Sequence, residues 1–270
     1  MKKDIKYLIV PDVHGRDFWM TPVEETLLHS EAQVVFLGDY LDPYPYEWED
    51  ENTTRMEVVS KCRSVALDRF KQIIDLKRKY PDRVTLLLGN HDCGYAIGFD
   101  ICTSRMDYGH AQEITYLFQD NRDLFQLVLS SEIAGRRFLF SHAGILKGWY
   151  RQLDRDQLDP EMVLNNAWWT EDYRVLDLLA DYDRWRGGWS GYQYGSPVWS
   201  DIRSWEDVSP EETYGFNIVG HTQLKDRPVV LDQIACLDCR RVFYLDSDGR
   251  LHEYDSGDIL QRSSYQDEDW

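Results

Sequence analysis

The chain has 270 residues, 43% of them hydrophobic and 29% charged, so it can form one large globular domain with a true core. Its net charge of -18 disfavours nucleic acids and anionic membranes as partners, because an acidic surface repels phosphate groups. The apolar run in residues 1–10 is too short for a signal peptide or a membrane span, and five cysteines suit a reducing compartment. We therefore expect a cytoplasmic protein.

The first half of the chain predicts alternating strands and helices. Short apolar runs rich in β-branched residues predict strands at 5–10, 33–37 and 83–88. Apolar runs of this kind are typical of strands that are buried on both faces. The alternation predicts parallel strands joined by helices.

Two helices are predicted between these strands. Thr21 as N-cap, Pro22 at the first helical position and Glu24 in the first turn indicate the start of the first helix. The second is predicted from Thr54 to Tyr80 and is stopped by Pro81. Its predicted apolar face consists of Met56, Val59, Ala66, Phe70, Ile73 and Ile74.

The second half is predicted to be mostly strands. They are expected at 125–129 and 137–141, paired across the turn AGRR, and at 216–219, 228–231, 233–237 and 241–246, with a short one after the turn Asp248-Gly249. The whole order predicts an α/β fold in which a two-sheet β-sandwich is flanked by helices, with four layers αββα. We expect residues 1–270 to form a single domain.

Residues 149–205 interrupt the strands and hold seven of the ten tryptophans, so they predict a helical insertion that caps the sheets. Two interpretations stay open for its aromatic side chains. They pack the cap onto the sheet, because aromatic rings bury large apolar areas, or Trp185, Trp189 and Tyr192 stack on a substrate.

Five predicted strands end in side chains that bind metals or move protons. In chain order these side chains are Asp12 and His14, Asp39 and Asp42, Asn90 and His91, His142, and His221. The carboxyl ends of neighbouring strands converge at one edge of a sheet, so we expect these groups to lie together. Imidazole and carboxylate ligands suit manganese, iron or zinc rather than calcium. Two such ions about 3.5–4 Å apart turn a bridging water into a hydroxide that attacks a phosphoryl group.

These strand ends carry the motifs PDVHG, GDYLD, GNHD, FSHAG and VGHT, which resemble those of the calcineurin-like metallophosphoesterases. The resemblance extends over residues 12–222. It is closest to the phosphoprotein phosphatase branch and its bacterial relatives, including the diadenosine tetraphosphatases. Three details favour that branch: Asp42 follows Asp39 by three residues, SHAG replaces H-G-G, and VWSD stands at 198–201.

The resemblance implies two divalent metal ions, expected to be manganese with iron or zinc as alternatives. The ligands that it implies are Asp12, His14 and Asp39 for one ion, and Asp39, Asn90, His142 and His221 for the other. It also implies that His91 protonates the leaving oxygen, while Asp42 holds the imidazole and keeps it charged.

One departure from the family concerns the arginine that binds the phosphate. The phosphoprotein phosphatases follow the second aspartate with Arg-Gly, and that arginine holds the phosphate, whereas here Asp42 is followed by Pro43 and Tyr44. The candidates to replace it are Arg16, Arg105, Arg186 and Arg203.

The predicted function is hydrolysis of phosphate monoesters, with a phosphorylated small molecule such as a nucleotide, or a phosphoprotein, as substrate. Hydrolysis of diadenosine polyphosphates or of phosphodiesters is the alternative, although Gln223 replaces a histidine found in many cyclic phosphodiesterases and nucleases of the superfamily. A non-catalytic scaffold with the same fold is an alternative of another class.

Overall fold

The computed structural model describes residues 4–49, 52–98, 103–153, 158–187 and 194–263. In chain order its strands are β1 (Ile5–Val10), β2 (Gln33–Phe36), β3 (Val84–Leu87), β4 (Phe125–Gln126), β5 (Leu129–Ile133), β6 (Arg136–Phe140), β7 (Phe216–Val219), β8 (Val229–Val230), β9 (Ile234–Cys236), β10 (Phe243–Asp246) and β11 (Leu251–Glu253). Its α-helices are α1 (Met20–His29), α2 (Arg55–Lys79), α3 (Asn90–Ala96), α4 (Ala111–Asp120), α5 (Lys147–Tyr150), α6 (Pro160–Thr170) and α7 (Tyr173–Leu176). Turns of 3-10 helix occupy Pro45–Trp48, Arg122–Leu124, Arg151–Leu153, Asp177–Ala180, Arg184–Arg186, Ile202–Trp205 and Pro210–Glu212.

The strands form two sheets. The first has the order β11-β10-β1-β2-β3-β4, and the second has the order β5-β6-β7-β9-β8. Strands β1 to β4 are parallel, as are β6, β7 and β9. Two sheets flanked by helices confirm the predicted fold class.

The side chains of β1 show why its sequence is apolar throughout. Tyr7 and Ile9 are buried in one hydrophobic cluster, which also contains Phe140 of the second sheet. Leu8 and Val10 are buried in another, which contains the apolar faces of α1 and α2. Successive strand residues point to opposite faces, and both faces of this strand are covered.

The strand registers bring the polar strand ends to one level. Val10 of β1 lies opposite Phe36 of β2, which in turn lies opposite Leu86 of β3. In the second sheet, Phe140 of β6 lies opposite Ile218 of β7. Each of these positions is at or next to the carboxyl end of its strand. The five chain segments that follow these strands therefore lie side by side.

The two predicted helices exist, but details of both were wrong. Helix α1 begins at Met20 with Trp19 as N-cap, so Thr21 and Pro22 lie inside its first turn. In α2 the packed face is shifted: Val58 and Cys62 are buried, whereas Met56 is 82% exposed and Val59 is half-buried. Residues two apart on a helix point about 200° apart, so Met56 and Val58 cannot share a face.

The predicted strand 125–129 was also wrong, because it is divided between the two sheets. Its first part, β4, ends at Gln126 in the first sheet, and β5 begins at Leu129 in the second. The chain crosses between them at Leu127 and Val128, whose backbone N–H groups donate to Oδ1 of Asn165 on α6 at 2.8 and 3.0 Å. The other strand boundaries differ from prediction by two residues or fewer.

The tryptophan-rich segment contains short helices and 3-10 turns joined by irregular chain, and most of its described indoles are packed. Trp149, Trp168 and Trp205 are among the largest fully buried side chains, whereas Trp185 is 48% exposed. Trp189 and Tyr192, for which packing and stacking on a substrate were both left open, lie outside the described residues. Among the described residues, no helix is long and apolar enough to cross a bilayer.

We expect Asn165→Ala to destabilise the crossing between the sheets. Asn165 is 3% exposed, accepts from two buried N–H groups and donates to the carbonyl of Val128 at 2.8 Å. The loss of that acceptor should lower the free energy of unfolding by about 2–4 kcal/mol, measured by urea denaturation. Asn166→Ala, at the exposed neighbour, is the matched control and should cost less than about 0.5 kcal/mol. Equal losses in the two variants would contradict this role.

Candidate metal centre

The six metal ligands implied by the sequence lie together and are buried. Their exposed fractions are 1% for Asp12, 3% for His14, 2% for Asp39, 3% for Asn90, 0% for His142 and 8% for His221. Oxygen and nitrogen atoms of Asp12, Asp39 and His142 lie within 4.8 Å of one another, as do those of His14, Asp39 and His91. The predicted strand ends therefore meet at one place.

Three atoms that can each offer a lone pair to a cation converge at one side of this centre. Nε2 of His142 lies 2.9 Å from Oδ1 of Asn90 and 3.1 Å from Nδ1 of His221, and the last two atoms are 3.0 Å apart. The other nitrogen of His142 lies 2.9 Å from the carbonyl of Leu37, so Nδ1 carries the proton and Nε2 the lone pair. Buried Nε2 of His221 has no hydrogen-bond partner among the described residues. This donor set fits a cation.

Asp39 lies between the two groups of ligands. Its Oδ2 atom is 3.5 Å from Nε2 of His14 and 3.5 Å from Nε2 of His142. His14 is oriented like His142, because its Nδ1 donates to the carbonyl of Leu41 at 2.7 Å and leaves the lone pair of Nε2 free to bind a cation. A carboxylate in this position is able to bind one cation on each side.

The protonation of the centre reflects its burial. Burial raises the pKa of Asp39 to about 7; His91 opposes this shift and Asp12 adds to it. Burial and then the charge of His91 lower the pKa of His14 well below its usual value, and burial and then Arg186 do the same for His221. Both histidines are therefore neutral near pH 7, which is the form that binds metals.

His91 is held by a carboxylate next to the centre. Its Nδ1 lies 2.6 Å from Oδ2 of Asp42, which also accepts from the hydroxyl of Thr103 at 3.3 Å. The second oxygen of Asp42 accepts from the hydroxyl of Tyr95 at 2.6 Å. With Nδ1 fixed in this way, Nε2 of His91 faces the side where His14 lies, and the two imidazole rings are 5.0 Å apart.

Asp92 is a site residue that the sequence reasoning missed, although it is the last letter of GNHD. It is fully buried, and its two oxygens accept from the backbone N–H groups of Asp39 at 2.7 Å, Gly89 at 2.8 Å and Tyr40 at 3.1 Å. Burial and the neighbouring Asp39 raise its pKa well above the usual value. Asp238 is also buried and was also missed, because it belongs to none of the five sequence motifs. Burial and the charge of Asp12 raise the pKa of its carboxyl well above the usual value.

Several site residues have a left-handed backbone that is uncommon outside glycine. The φ angles are 44° for His14, 51° for Asp39, 56° for Asp42, 70° for Arg105 and 66° for His221. Such conformations persist only where surrounding contacts hold them, and they cluster at functional sites.

The four candidate arginines have different surroundings. Arg16 donates to both oxygens of Glu47 at 2.9 Å. Arg186 and Arg203 both lie against Asp201, the last residue of VWSD, with Nε to oxygen distances of 2.7 Å. Arg105 lies next to His91, with Nη2 3.4 Å from Nε2.

Comparison with known proteins agrees with this geometry. A family model described as calcineurin-like phosphoesterase matches residues 5–224. The chain belongs to this family. The predicted resemblance is therefore confirmed for the calcineurin-like phosphoesterases, and the sequence relatives are phosphatases.

The chain is 27% identical over 226 residues to the serine/threonine-protein phosphatase 6 catalytic subunit of Drosophila melanogaster, with 80% of this chain and 56% of the relative covered. It is 25% identical over 218 residues to serine/threonine-protein phosphatase PP1-delta of Caenorhabditis elegans, with 74% and 60% covered. This chain thus spans less than two thirds of the length of these curated relatives. A solved structure, the cold-active protein-tyrosine phosphatase of a psychrophilic Shewanella species, has a TM-score of 0.56 at 18% identity, covering 96% of this chain and 81% of that one.

We expect Mn²⁺ to bind the metal-free protein more weakly as the pH falls below about 7. Asp39 must lose its proton to bind a cation, and its pKa is raised to about 7, so the affinity should level off above that pH. Below about pH 6, each unit should weaken binding about tenfold. His14 and His221 add no dependence here, because their lowered pKa values keep them neutral.

Calorimetric titration of chelator-stripped protein between about pH 5.5 and 8 measures this dependence, and the heats in two buffers count the protons released. Glu113→Gln, which removes an exposed carboxylate on α4, is the control for net charge and should leave the profile unchanged. An affinity that is constant across the range would contradict the assignment of Asp39 as a ligand.

Proposed function

We propose that the protein is a two-metal phosphatase that hydrolyses phosphate monoesters. The observation that carries this proposal is the meeting of six buried ligand side chains with the His91–Asp42 pair at one edge of the two sheets. Two divalent ions, which we propose to be manganese, would supply an activated water and neutralise the charge of the phosphoryl group. Asp12, His14 and Asp39 would hold one ion, and the other ligands would be Asp39, Asn90, His142 and His221.

His91 would act as the general acid. Its Nδ1 proton is directed at Asp42, so the exchangeable proton that faces the centre is on Nε2. An alkoxide leaving group is unstable without a proton, and a positioned imidazolium supplies one in the transition state. The backbone N–H of His91 also donates to Oδ1 of Asp39 at 2.9 Å, which fixes the acid relative to the ligands.

Asp42 would hold the general acid in place. It is 1% exposed, and Tyr95, Thr103 and His91 all donate to its carboxylate, so it is a fixed acceptor rather than a mobile one. The hydroxyl of Tyr95 in turn accepts from the backbone N–H of Asp107 at 2.6 Å. Such a chain of hydrogen bonds keeps the imidazole in one orientation through the reaction.

Phosphoproteins are the substrate class that we favour, because the named sequence relatives are serine/threonine-protein phosphatases. Dinucleoside polyphosphates and phosphodiesters are the competing substrates. The choice is measured with a phosphoserine peptide, a diadenosine polyphosphate and bis(p-nitrophenyl) phosphate in parallel. Turnover of the diester alone would contradict a monoesterase, and two bound ions without any turnover would favour a scaffold.

We expect His91→Gln to retain both metal ions but to lower kcat for the phosphoserine peptide by about 10²–10⁴-fold. The loss should be smaller with p-nitrophenyl phosphate, because p-nitrophenolate leaves without a proton. Rates are measured with Mn²⁺, and metal content is measured by elemental analysis of the same samples.

The matched control is His252→Gln. His252 also pairs with an aspartate, Asp246, at 2.8 Å, but it lies on β11 at the edge of the first sheet, away from the centre. It should leave both rates unchanged. Equal losses of His91→Gln on the two substrates would contradict the role of His91 as proton donor.

A further inference from the structure

Arg105 is a cation beside His91, the proposed proton donor, and it has no carboxylate partner among the described residues. Its Nη2 atom lies 3.4 Å from Nε2 of His91. Nε donates to the backbone carbonyl of Asp42 at 3.1 Å, and Nη1 donates to the hydroxyl of Ser104 at 2.9 Å. Over the described ranges, none of its hydrogen bonds or ion pairs reaches a carboxylate. Its charge is thus available to an anion at the centre.

The other candidate arginines are held by acids. Two nitrogens of the Arg16 guanidinium donate to the two carboxylate oxygens of Glu47. Arg203 donates through two nitrogens to the two oxygens of Asp201, at 2.7 and 2.9 Å. Arg186 contacts the same carboxylate through Nε at 2.7 Å, and its Nη2 donates to the hydroxyl of Thr222 at 3.1 Å. To bind a phosphate, Arg16 or Arg203 would have to break a two-point carboxylate pair, and Arg186 would have to give up one carboxylate contact, which costs charge-assisted hydrogen bonds.

The contact between Arg105 and His91 places a permanent cation next to the proposed proton donor. Nη2 of Arg105 lies 3.4 Å from Nε2 of His91, and a guanidinium has donors but no acceptor. A phosphoryl oxygen close to Nε2 of His91 would therefore also lie within reach of an N–H of Arg105. The geometry therefore suits a bound anion with several oxygens, such as a phosphate monoester.

Tyr44 forms a flat support for this guanidinium. The central carbon of Arg105 lies 3.7 Å from the centre of the Tyr44 ring, a stacking distance, and that of Arg16 lies 5.0 Å from the same ring. The ring also meets His14 edge-on at 5.1 Å. Burial raises the pKa of Tyr44 to about 12, although Arg105 opposes this, so the phenol stays neutral and its ring face attracts cations.

The segment that carries Arg105 is fastened to Asp42. Thr103 donates to the Asp42 carboxylate and Arg105 donates to its carbonyl, so the residue that orients His91 also positions the arginine. The φ of 70° at Arg105 turns the chain sharply there. Arg63 donates to the carbonyls of Arg105 and Met106 at 3.3 and 2.9 Å, and so braces the turn from α2.

We propose that Arg105 binds the non-bridging oxygens of a phosphate monoester and that Tyr44 positions its guanidinium. The pair would do the work of the arginine that directly follows the second aspartate in related phosphatases, although Arg105 lies 63 residues after Asp42. This inference rests on the proposed phosphatase function for its substrate class.

The test compares binding of inorganic phosphate with steady-state kinetics on p-nitrophenyl phosphate, both in the Mn²⁺-loaded full chain. Arg105→Ala should weaken phosphate binding and raise KM by about 10–100-fold while metal content stays unchanged. Arg105→Lys keeps the positive charge but lacks the planar guanidinium. Its phosphate affinity and KM should therefore lie between those of Arg105→Ala and wild type. Tyr44→Leu should weaken phosphate binding by about 2–5-fold, with most of the effect in KM, whereas Tyr44→Phe, which keeps the ring, should weaken it less than Tyr44→Leu does.

The control is Arg136→Ala. This arginine also stacks on an aromatic ring, 4.2 Å from the centre of Phe216, but it begins β6 at the end opposite the metal centre. If wild type hydrolyses the substrate and Arg105→Ala binds phosphate as tightly as wild type does, the inference about Arg105 is overturned and the proposed function stands. No turnover by wild type would refute the proposed function, while the phosphate affinities of the same variants would still decide on Arg105. If the metal-loaded wild type binds no measurable phosphate, the inference about Arg105 is overturned as well.

Discussion

The arrangement of the centre depends on the carboxylate of Asp92. It accepts hydrogen bonds from the N–H groups of Asp39, Tyr40 and Gly89, and so joins the turn after β2 to the turn after β3. The two turns are in direct contact, and a Cβ atom on Gly89 would overlap the Asp39 carboxylate. These turns carry Asp39, Asn90 and His91, which are proposed as bridging ligand, amide ligand and proton donor. One buried acid therefore sets the spacing between the proposed sites of metal binding and proton transfer.

That spacing is maintained at a cost in local stability. Four of the ligand and proton-transfer residues, together with Arg105, adopt left-handed backbone conformations, each of which costs about 1–3 kcal/mol outside glycine. Acidic groups are also buried close together, which is unfavourable while no cation is bound. The apolar faces of the two sheets offset these costs, and bound cations would remove the electrostatic part.

Much of this structure could be predicted from the sequence, because strands buried on both faces leave continuous apolar runs and metal ligands follow them directly. Predictions from local sequence patterns failed where the structure depends on a contact with a residue far along the chain. The strand predicted at 125–129 is divided because Asn165 binds the backbone between the sheets. The arginines could not be ranked, because the carboxylates that neutralise Arg16 and Arg203 are known only from the fold. Asp238 has no local signal at all.

The hydrogen bond between the backbone N–H of His221 and the Asp12 carboxylate joins residues 209 positions apart. Closing so long a loop costs more chain entropy than closing a short one, although the cost grows slowly with length. The proposed ligand set draws residues from both sheets, so no local segment of the chain can assemble it alone. Cations that bind this set would stabilise only the conformation in which Asp12 and His221 lie together, and so would favour the folded state by mass action.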